Sequence, residues 1–83
     1  MITDPDILLE QCKEAEATVR ELFEEIKAKR TDVNFEYTID DVLYQGGTSG
    51  YRFTVNVKTT DLETGKDVMD NARGTHFMYV VFE

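Results

Sequence analysis

His76 is the single histidine of the chain and the first side chain to weigh for chemistry. An imidazole titrates near neutral pH and can act as general acid or base for a serine or cysteine nucleophile. No serine or cysteine stands in a recognisable nucleophile motif, and Cys12, the only cysteine, has apolar neighbours at helical spacing. We therefore interpret His76 as a structural or interfacial residue. Cys12 is interpreted as a small buried hydrophobe, with a reactive thiol as the alternative.

Two groups of carboxylates have spacings that suggest a bound cation. Asp61, Glu63 and Asp67 resemble part of a calcium loop, but the remaining ligands and the late bidentate glutamate of such a loop are absent. Asp40-Asp41 and Glu36 could hold a hard cation or act as an acid pair, yet adjacent residues of a strand point to opposite faces. We interpret the first group as a solvated turn and expect no metal and no cofactor.

A glycine-rich run, Gly46-Gly47-Thr48-Ser49-Gly50, has the composition of a phosphate-binding loop. Such a loop carries a lysine after its glycines and connects a strand to a helix. This run has no following lysine and connects two extended segments, so we predict a hairpin tip. Gly46, Gly47, Thr48 and Ser49 remain a candidate contact with a partner. Since no polar residues of the sequence converge on one site, we expect that the protein is not an enzyme.

The residues before Arg30 are predicted to form one long helix. Thr3 or Asp4 can cap its first turn, Pro5 is tolerated there, and Asp6 suits the helix dipole. Apolar residues then recur at steps of three and four, which indicates one buried stripe. The stripe comprises Leu8, Cys12, Ala15, Val19, Leu22 and Ile26, with Ile7, Leu9 and Phe23 widening it. We predict a helix over about 4–30 that packs on a sheet, with a coiled coil as the alternative.

After Arg30 the apolar period changes to two, which indicates strands. The alternation predicts strands over about 33–44, 50–60 and 67–82, with a break near 70–74. The predicted inward residues are Val33, Phe35, Tyr37, Ile39 and Leu43, then Tyr51, Phe53, Val55 and Val57. Gly65 is expected in a left-handed turn and Gly74 at a bulge or kink. The predicted fold is a single α+β domain over residues 1–83, one long N-terminal helix packed on a three- to four-stranded antiparallel meander sheet.

This order of elements resembles that of cystatin-type protease inhibitors. The first hairpin contains Gln45 and glycines, and the following strand reads Tyr-Arg-Phe-Thr-Val-Asn-Val over 51–57. The inhibitory hairpin of that family reads Gln-x-Val-x-Gly, whereas here Gln45 is followed by Gly46, Gly47, Thr48 and Ser49. The resemblance therefore implies a helix wrapped by a sheet and carries over no protease-inhibiting residue.

Charge restricts the class of partner. The chain has 17 acidic and 9 basic residues and a formal net charge of −8. Because phosphate binding needs clustered Lys and Arg, we predict no direct binding to nucleic acid and none to a membrane. Lys27, Lys29 and Arg30 are instead interpreted as complements to the negative end of the helix dipole. Apolar runs are too short to cross a bilayer and the first residues do not resemble a secretory signal, so a cytoplasmic protein is expected.

The last predicted strand is apolar on both faces. Thr75, Phe77, Tyr79 and Val81 fall on one face, and His76, Met78, Val80 and Phe82 fall on the other. Whichever face covers the helix, the opposite face stays apolar, so we expect a second copy or another protein to cover it. His76, Met78, Val80 and Phe82 are the predicted partner or dimer interface. Alternatively, the final residues curl over the core, or Val42 and Tyr44 cover the apolar face.

Three functions follow as hypotheses. The first is a small acidic interaction module, an inhibitor or adaptor that binds another protein and forms a homodimer through its last strand. A basic protein is one option for the partner. The second is a nucleic-acid mimic for a basic groove. Its acidic surface would comprise Glu10, Glu14, Glu21, Glu24 and Glu25. The third is a small ligand-binding protein or enzyme with a pocket between helix and sheet. Short acidic chains of this kind are common in bacteria and their phages, which suits an inhibitor.

Overall fold

The chain forms one helix followed by three strands in the computed structural model, which describes residues 4–47 and 50–82. The elements are α1 (Pro5–Lys29), β1 (Asn34–Gln45), β2 (Gly50–Thr60) and β3 (Gly74–Val81). The strands pair antiparallel in the order β1-β2-β3. The predicted α+β fold with an antiparallel meander is confirmed, and within the described ranges the sheet has three strands.

The ends of α1 follow from its sequence. The Asp6 amide donates to the Asp4 side chain at 2.9 Å, and Pro5 occupies the first turn, where a missing N–H costs nothing. The helix ends where the Arg30 amide donates to the Ile26 carbonyl, with Lys27 and Lys29 in its last turn. Within the described ranges, no helix combines the length and apolar character that a membrane span requires.

The buried stripe of α1 is narrower than the predicted one, since Ile7 and Leu9 are exposed as well as Leu22. Ala15, Val19 and Phe23 are buried, whereas Leu22 is 39% exposed. The stripe therefore takes a step of four after Val19, because the Phe23 ring lies between the two edge strands, β1 and β3. Its ring stacks on Tyr37 of β1 with centroids 5.4 Å apart and lies 6.4 Å from the His76 ring of β3. The prediction of Leu22 as a core residue was wrong.

A bulge changes the face on which the end of β1 points. Ile39 pairs with Val55 and Asp41 with Thr54, so Asp40 is the extra residue between them. One extra residue reverses the inward and outward positions that follow. Val42, which pairs with Phe53, therefore lies on the face toward α1, and Leu43, which pairs with Arg52, faces away from it. The inward position predicted for Leu43 is wrong for this reason.

The connection from β2 to β3 is a folded loop rather than the start of a strand. Asp67 forms one isolated bridge with Thr60, and β3 begins only at Gly74. Of the strand predicted from residue 67 with a break near 70–74, only this bridge precedes the break, and continuous pairing starts at Gly74. Gly65 has a φ of 71°, as the turn prediction required, and Gly74 has a φ of 121° where the chain re-enters the sheet. Both values fall where residues with a side chain rarely occur.

The molecule consists of one helix layer on one sheet layer. It measures 49 × 18 × 17 Å, and its Cα radius of gyration is 15.2 Å, compared with about 12 Å for a compact domain of this length. The core lies between α1 and the sheet face toward it, which we name the inner face; its centre is Phe53 and Val55 of β2. The opposite, outer face is covered by no element within residues 4–47 and 50–82.

Candidate functional site

The two faces of β3 are assigned by its pairing with β2. Met78 pairs with the buried Phe53 and Val80 with the buried Tyr51, so both residues point to the inner face. Phe82 packs edge-on against Tyr51, with ring centroids 6.0 Å apart. The predicted interface residues His76, Met78, Val80 and Phe82 therefore lie on the helix side and pack on the core. These four side chains are therefore on the partly covered face of β3, and their role as an interface stays a prediction.

The outer face of β3 carries the exposed apolar side chains. Phe77, Tyr79 and Val81 are 55%, 60% and 59% exposed. Leu43 of β1 lies in the same row of the sheet as Tyr79, with Arg52 between them, and is 47% exposed. We name Leu43, Phe77, Tyr79 and Val81 the outer patch. The prediction that one face of this strand stays apolar and uncovered is confirmed for the described residues.

Val42 and Tyr44 do not cover the outer patch. Both lie on the inner face, where Tyr44 packs against Tyr51 with ring centroids 5.1 Å apart. The alternative in which these two residues shield the apolar face of β3 is wrong, because the bulge at Asp40 turned them toward the helix.

Arg52 lies in the middle of the outer patch and was not recognised from the sequence as part of a site. Its guanidinium carbon is 5.3 Å from the centre of the Phe77 ring, a cation–π contact. Its Nε is buried and has no hydrogen-bond partner within the described chain. A guanidinium presents its N–H groups in a fixed fork that matches a carboxylate or carbonyl. The outer patch therefore combines apolar area with unused donor capacity.

The other end of the outer face is polar. Asn56 donates to the Asp40 carboxylate, and Thr75 donates to the Asn56 side-chain oxygen at 2.6 Å, so one chain of hydrogen bonds crosses all three strands. Across the whole outer face the charged residues are three acids and two bases: Glu36, Asp40, Asp41, Arg52 and Lys58. The outer face thus carries a net charge of −1 out of the −8 of the chain, and most of the acidic excess lies elsewhere.

The two edge strands of the sheet also differ in polarity, since β1 is charged and β3 is apolar. β1 carries Glu36, Asp40 and Asp41 and a bulge, the features that discourage pairing with another strand. β3 has the sequence GTHFMYVV, without Lys, Arg, Asp, Glu or Pro. Its outer edge is paired with no strand of the described chain. β3 is therefore the sheet edge that lacks protection against association.

A charge cluster fixes the loop that leads into β3. Arg30 at the end of α1 donates to Asp32 at 2.9 Å and to Asp70 at 2.9 Å, and the Ala72 amide also donates to Asp70. The Arg30 guanidinium and the Ala72 amide hold the pKa of the Asp70 carboxyl at about 2, below its ordinary value of 3.8. These contacts attach the start of β3 to the helix end, so that the strand is presented in one position.

The candidate catalytic residues are engaged in structural contacts. His76 Nε2 donates to the Ala72 carbonyl at 2.6 Å, and the ring lies against Phe23. Burial raises the pKa of the Cys12 thiol, and the nearby Glu16 carboxylate raises it further, so the thiol is protonated at neutral pH. Neither side chain is placed beside a partner that would activate it in the described residues.

The candidate cation sites do not assemble. Asp61 accepts the Glu63 and Thr64 amides at 2.8 and 2.9 Å, which closes the turn and lowers the pKa of its carboxyl. In the part of the chain that the structure describes, no three metal-ligating side chains come together. Gly46 and Gly47 form a turn after β1, and the other two predicted contact residues of this tip, Thr48 and Ser49, lie outside the described residues.

The predicted acidic surface is exposed along α1. All five of its carboxylates are on the solvent side: Glu10, Glu14, Glu21, Glu24 and Glu25. Glu24 is also used within the molecule, since it accepts the Tyr37 hydroxyl at 3.2 Å, and burial together with this carboxylate raises the pKa of Tyr37. Apart from Glu24, the acidic surface makes no contact with the sheet among the described residues, and the helix that carries it packs on the inner face, opposite the outer patch.

A cleft of about 460 Å³ lies between the first half of α1 and β1, beside the bulge. Its lining consists of Leu9, Cys12, Lys13, Glu16, Ile39, Asp40, Asp41, Val42 and Phe53. The lining combines apolar side chains with the charged Lys13, Glu16, Asp40 and Asp41. Ligand pockets usually combine apolar walls with a few convergent polar groups. A ligand-binding or enzymatic function for this cleft stays a prediction.

Comparisons of the chain with protein-family models, with curated proteins and with solved structures found no match. The resemblance to cystatins accordingly rests on element order alone. The candidate site is thus described from the structure alone, as the outer patch, Arg52 and the free edge of β3.

Proposed function

We propose that this protein is a small acidic interaction module, an inhibitor or adaptor that acts by binding another protein chain through β3. The binding surface comprises the outer patch, Arg52 and the free edge of the strand. The protein performs no reaction of its own in this proposal. Its contribution is to present one rigid, apolar strand to a partner and to keep the acidic helix turned away from the contact.

The observation that carries this proposal is the exposure of Phe77, Tyr79 and Val81 around Arg52 on one face. Tyr and Arg, together with Trp, are enriched among the residues that dominate binding energy at protein interfaces. An apolar patch bordered by polar residues is the usual mark of an interaction site on a soluble domain. The polar border here is the Asp40–Asn56–Thr75 chain of hydrogen bonds.

The proposal is tested by sedimentation of the fluorescently labelled protein at low concentration, in buffer with excess unlabelled protein and in cell extract. Wild type should sediment faster than a monomer in at least one condition, and Tyr79→Lys should abolish the shift, because a lysine there buries a charge in the contact. Met69→Lys is the matched control, since Met69 is 90% exposed and lies outside β3. Wild type that sediments as a monomer in every condition overturns the proposal.

A nucleic-acid mimic is the second candidate, and the stripe of carboxylates on α1 favours it. Glu10, Glu14, Glu21 and Glu25 are exposed on one side of the helix, and residues four apart stand about 6 Å from each other along the axis. Binding through this stripe would weaken steeply with salt, whereas binding through the outer patch would not. If the mimic is correct, changing these four residues to Gln should abolish partner binding. If the partner binds through β3, the same change should leave binding intact.

A further inference from the structure

We propose that the chain bound at the β3 edge is the β3 of a second copy, paired antiparallel across a two-fold axis perpendicular to the sheet. Two three-stranded sheets would then join into one of six strands, with both helices on the same side. This inference rests on the proposed function, because it names the partner of the same surface. Four observations support it: the sequence pattern of β3, the partial cover of its inner face, the distribution of charge, and the area available.

The sequence of β3 has the pattern of a central strand, although the strand occupies an edge of the sheet. Residues 76–81 are apolar or aromatic on both faces apart from His76. Strands buried on both sides have such continuous apolar runs, whereas edge strands commonly carry charge, proline or a bulge. Pairing β3 with a second β3 makes both strands central and removes the unprotected edge.

The inner face of β3 is only partly covered within one copy. α1 packs mainly on β1 and β2, and Met78, Val80 and Phe82 are half-buried rather than buried. In the two-fold arrangement, each half-covered strand lies beside the other copy's half-covered strand and helix. The dimer would thus extend the core across the junction, and a compact shape would replace the elongated one of a single copy.

Charge permits this pairing at β3 and opposes it at β1. A protein with a net charge of −8 repels its own copies in general. β3 contributes no carboxylate to its edge, and Glu10, Glu14, Glu21 and Glu25 of α1 are exposed to solvent. At the other edge, Glu36, Asp40 and Asp41 would face the same residues of a second copy. Association should therefore stop at two copies instead of growing into a filament.

The area of the outer patch favours edge pairing over stacking of two outer faces. Three β3 side chains that are a little over half exposed offer roughly 100 Å² each, given whole-side-chain areas of roughly 200 Å². Stable interfaces bury about 800 Å² from each partner. The patch alone falls short of this area, and Arg52 lies at its centre, where stacked faces would approach its charge. Edge pairing adds backbone hydrogen bonds and inner-face contacts. Because the total buried area is still modest, we expect a dimer that dissociates on dilution.

The proposed geometry restricts the pairing register. Directly opposite residues of an antiparallel pair point to the same side of the sheet, and both outer faces lie on one side of the dimer. Outer residues must therefore face outer residues, so one residue of β3 stands opposite its own copy. A centre at Met78 sets Phe77 against the other copy's Tyr79, and a centre at Tyr79 sets the two Tyr79 rings side by side. Either centre forms aromatic cross-strand pairs.

The first experiment compares Tyr79→Lys with Leu43→Lys by sedimentation equilibrium of the unlabelled protein over a dilution series. Both residues belong to the outer patch and lie in one row of the sheet, but only Tyr79 is on the proposed edge. We expect a wild-type dimer that Tyr79→Lys weakens by at least about tenfold and that Leu43→Lys leaves nearly unchanged. Equal weakening by both substitutions would indicate stacked faces and overturn the edge geometry.

The second experiment locates the two-fold axis by cross-linking in a Cys12→Ser background. Single cysteines replace Phe77, Met78, Tyr79 and Val80 in turn, so that both proposed centres are sampled, and disulfide formation is measured under mild oxidation. Opposed residues of antiparallel strands have Cα atoms about 4.5–5.5 Å apart, which suits a disulfide. One position should therefore form the disulfide far faster than the others. Equal yields at all four positions, or none at any, would overturn the inference.

Two further controls keep the outcomes distinct. Circular dichroism shows whether Tyr79→Lys has folded, and Val81→Lys, at the end of the strand, replaces it if it has not. A wild type that stays monomeric alone at every concentration overturns the pairing of two copies. If such a protein still sediments faster in cell extract through Tyr79, the proposed interaction module stands and its partner is a foreign protein.

Discussion

β1 and β3 pair with the same central strand, yet only β1 carries features that discourage pairing with another strand. We call the β1 edge guarded and the β3 edge open. β1 carries three carboxylates and a bulge along its length, while β3 carries no charged residue and no bulge. Both strands also share one helix residue, Phe23, whose ring contacts Tyr37 on one side and His76 on the other. The contrast therefore does not come from the core, which holds both strands through the same side chain.

The difference between the edges shows how a small domain can restrict where it associates. An unpaired edge presents backbone N–H and C=O groups to any other strand, and natural sheets commonly block it. Here the blocking residues are concentrated on β1, so that only β3 is left to pair. If both edges were open, the acidic charge alone would have to prevent growth into fibres.

The largest expected effect comes from removing the side chain that both edges share. Phe23→Ala should lower the free energy of unfolding by about 3–5 kcal/mol, since it removes a buried ring between helix and sheet. Leu22→Ala, one position away and 39% exposed, should cost less than about 1 kcal/mol. Urea denaturation of the two variants measures both values. A larger loss for Leu22→Ala would restore the original assignment of the buried stripe.

Gly74→Ala should weaken the open edge without touching the guarded one. Gly74 has a φ of 121°, and a Cβ added there would meet nothing within 4 Å, so the cost is purely conformational, about 1–3 kcal/mol. Gly47→Ala is the control, because its Cβ also meets nothing within 4 Å and its φ is not left-handed. Thermal denaturation should separate the variants, and equal melting temperatures would contradict the strained conformation assigned to Gly74.

Removing the guard from β1 should make the two edges alike. In the double variant Asp40→Val/Asp41→Val, two carboxylates are lost from the edge, and we expect oligomers larger than two copies at concentrations where wild type forms none. An apparent association at least about tenfold stronger would correspond to about 1.4 kcal/mol. Size-exclusion chromatography with light scattering measures the masses, and Asp67→Val, outside both edges, is the control. Unchanged masses would show that the carboxylates do not guard β1.

The smallest expected effect concerns the attachment of the loop before β3. The folded-state pKa of Asp70 is about 2, below the ordinary 3.8, so its contribution to stability is present above about pH 4 and is lost as the pH falls toward 2. Asp70→Asn should be less stable than wild type at pH 7 and should lose less stability between pH 4 and 2. Parallel urea titrations test this, and identical pH profiles for the two proteins would remove Asp70 from the linkage.

Much of the fold could be predicted because its signals are local. Asp4, Pro5 and Asp6 mark the start of α1, and Gly65 marks a turn that requires a left-handed residue. The charge balance and the alternation in β3 are also properties of the sequence alone. The position of Leu22 could not be decided in this way, because Leu22 and Phe23 both satisfy helical spacing and only the sheet selects between them.

The candidate site was predicted only in part: the prediction named β3, but the face that the structure leaves exposed is the other of its two faces. A period of two divides β3 into Phe77, Tyr79 and Val81 against Met78 and Val80, but it does not say which set meets the helix. That choice depends on the register with β2, in which Met78 pairs with the buried Phe53. Arg52 entered the site for the same reason, because its contact with Phe77 exists only after the two strands are aligned.

The sequence by itself determined the elements, their order, the acidic charge and the two apolar faces of β3, because caps, periodicity and composition act over a few neighbouring residues. The tertiary structure decided which face of β3 is exposed, and that β3 is the open edge of the sheet. It also decided that the bulge at Asp40 exchanges the inward and outward positions of β1. These outcomes depend on contacts between residues far apart in the chain, and a shift of one residue in register exchanges the buried and exposed sides of a strand.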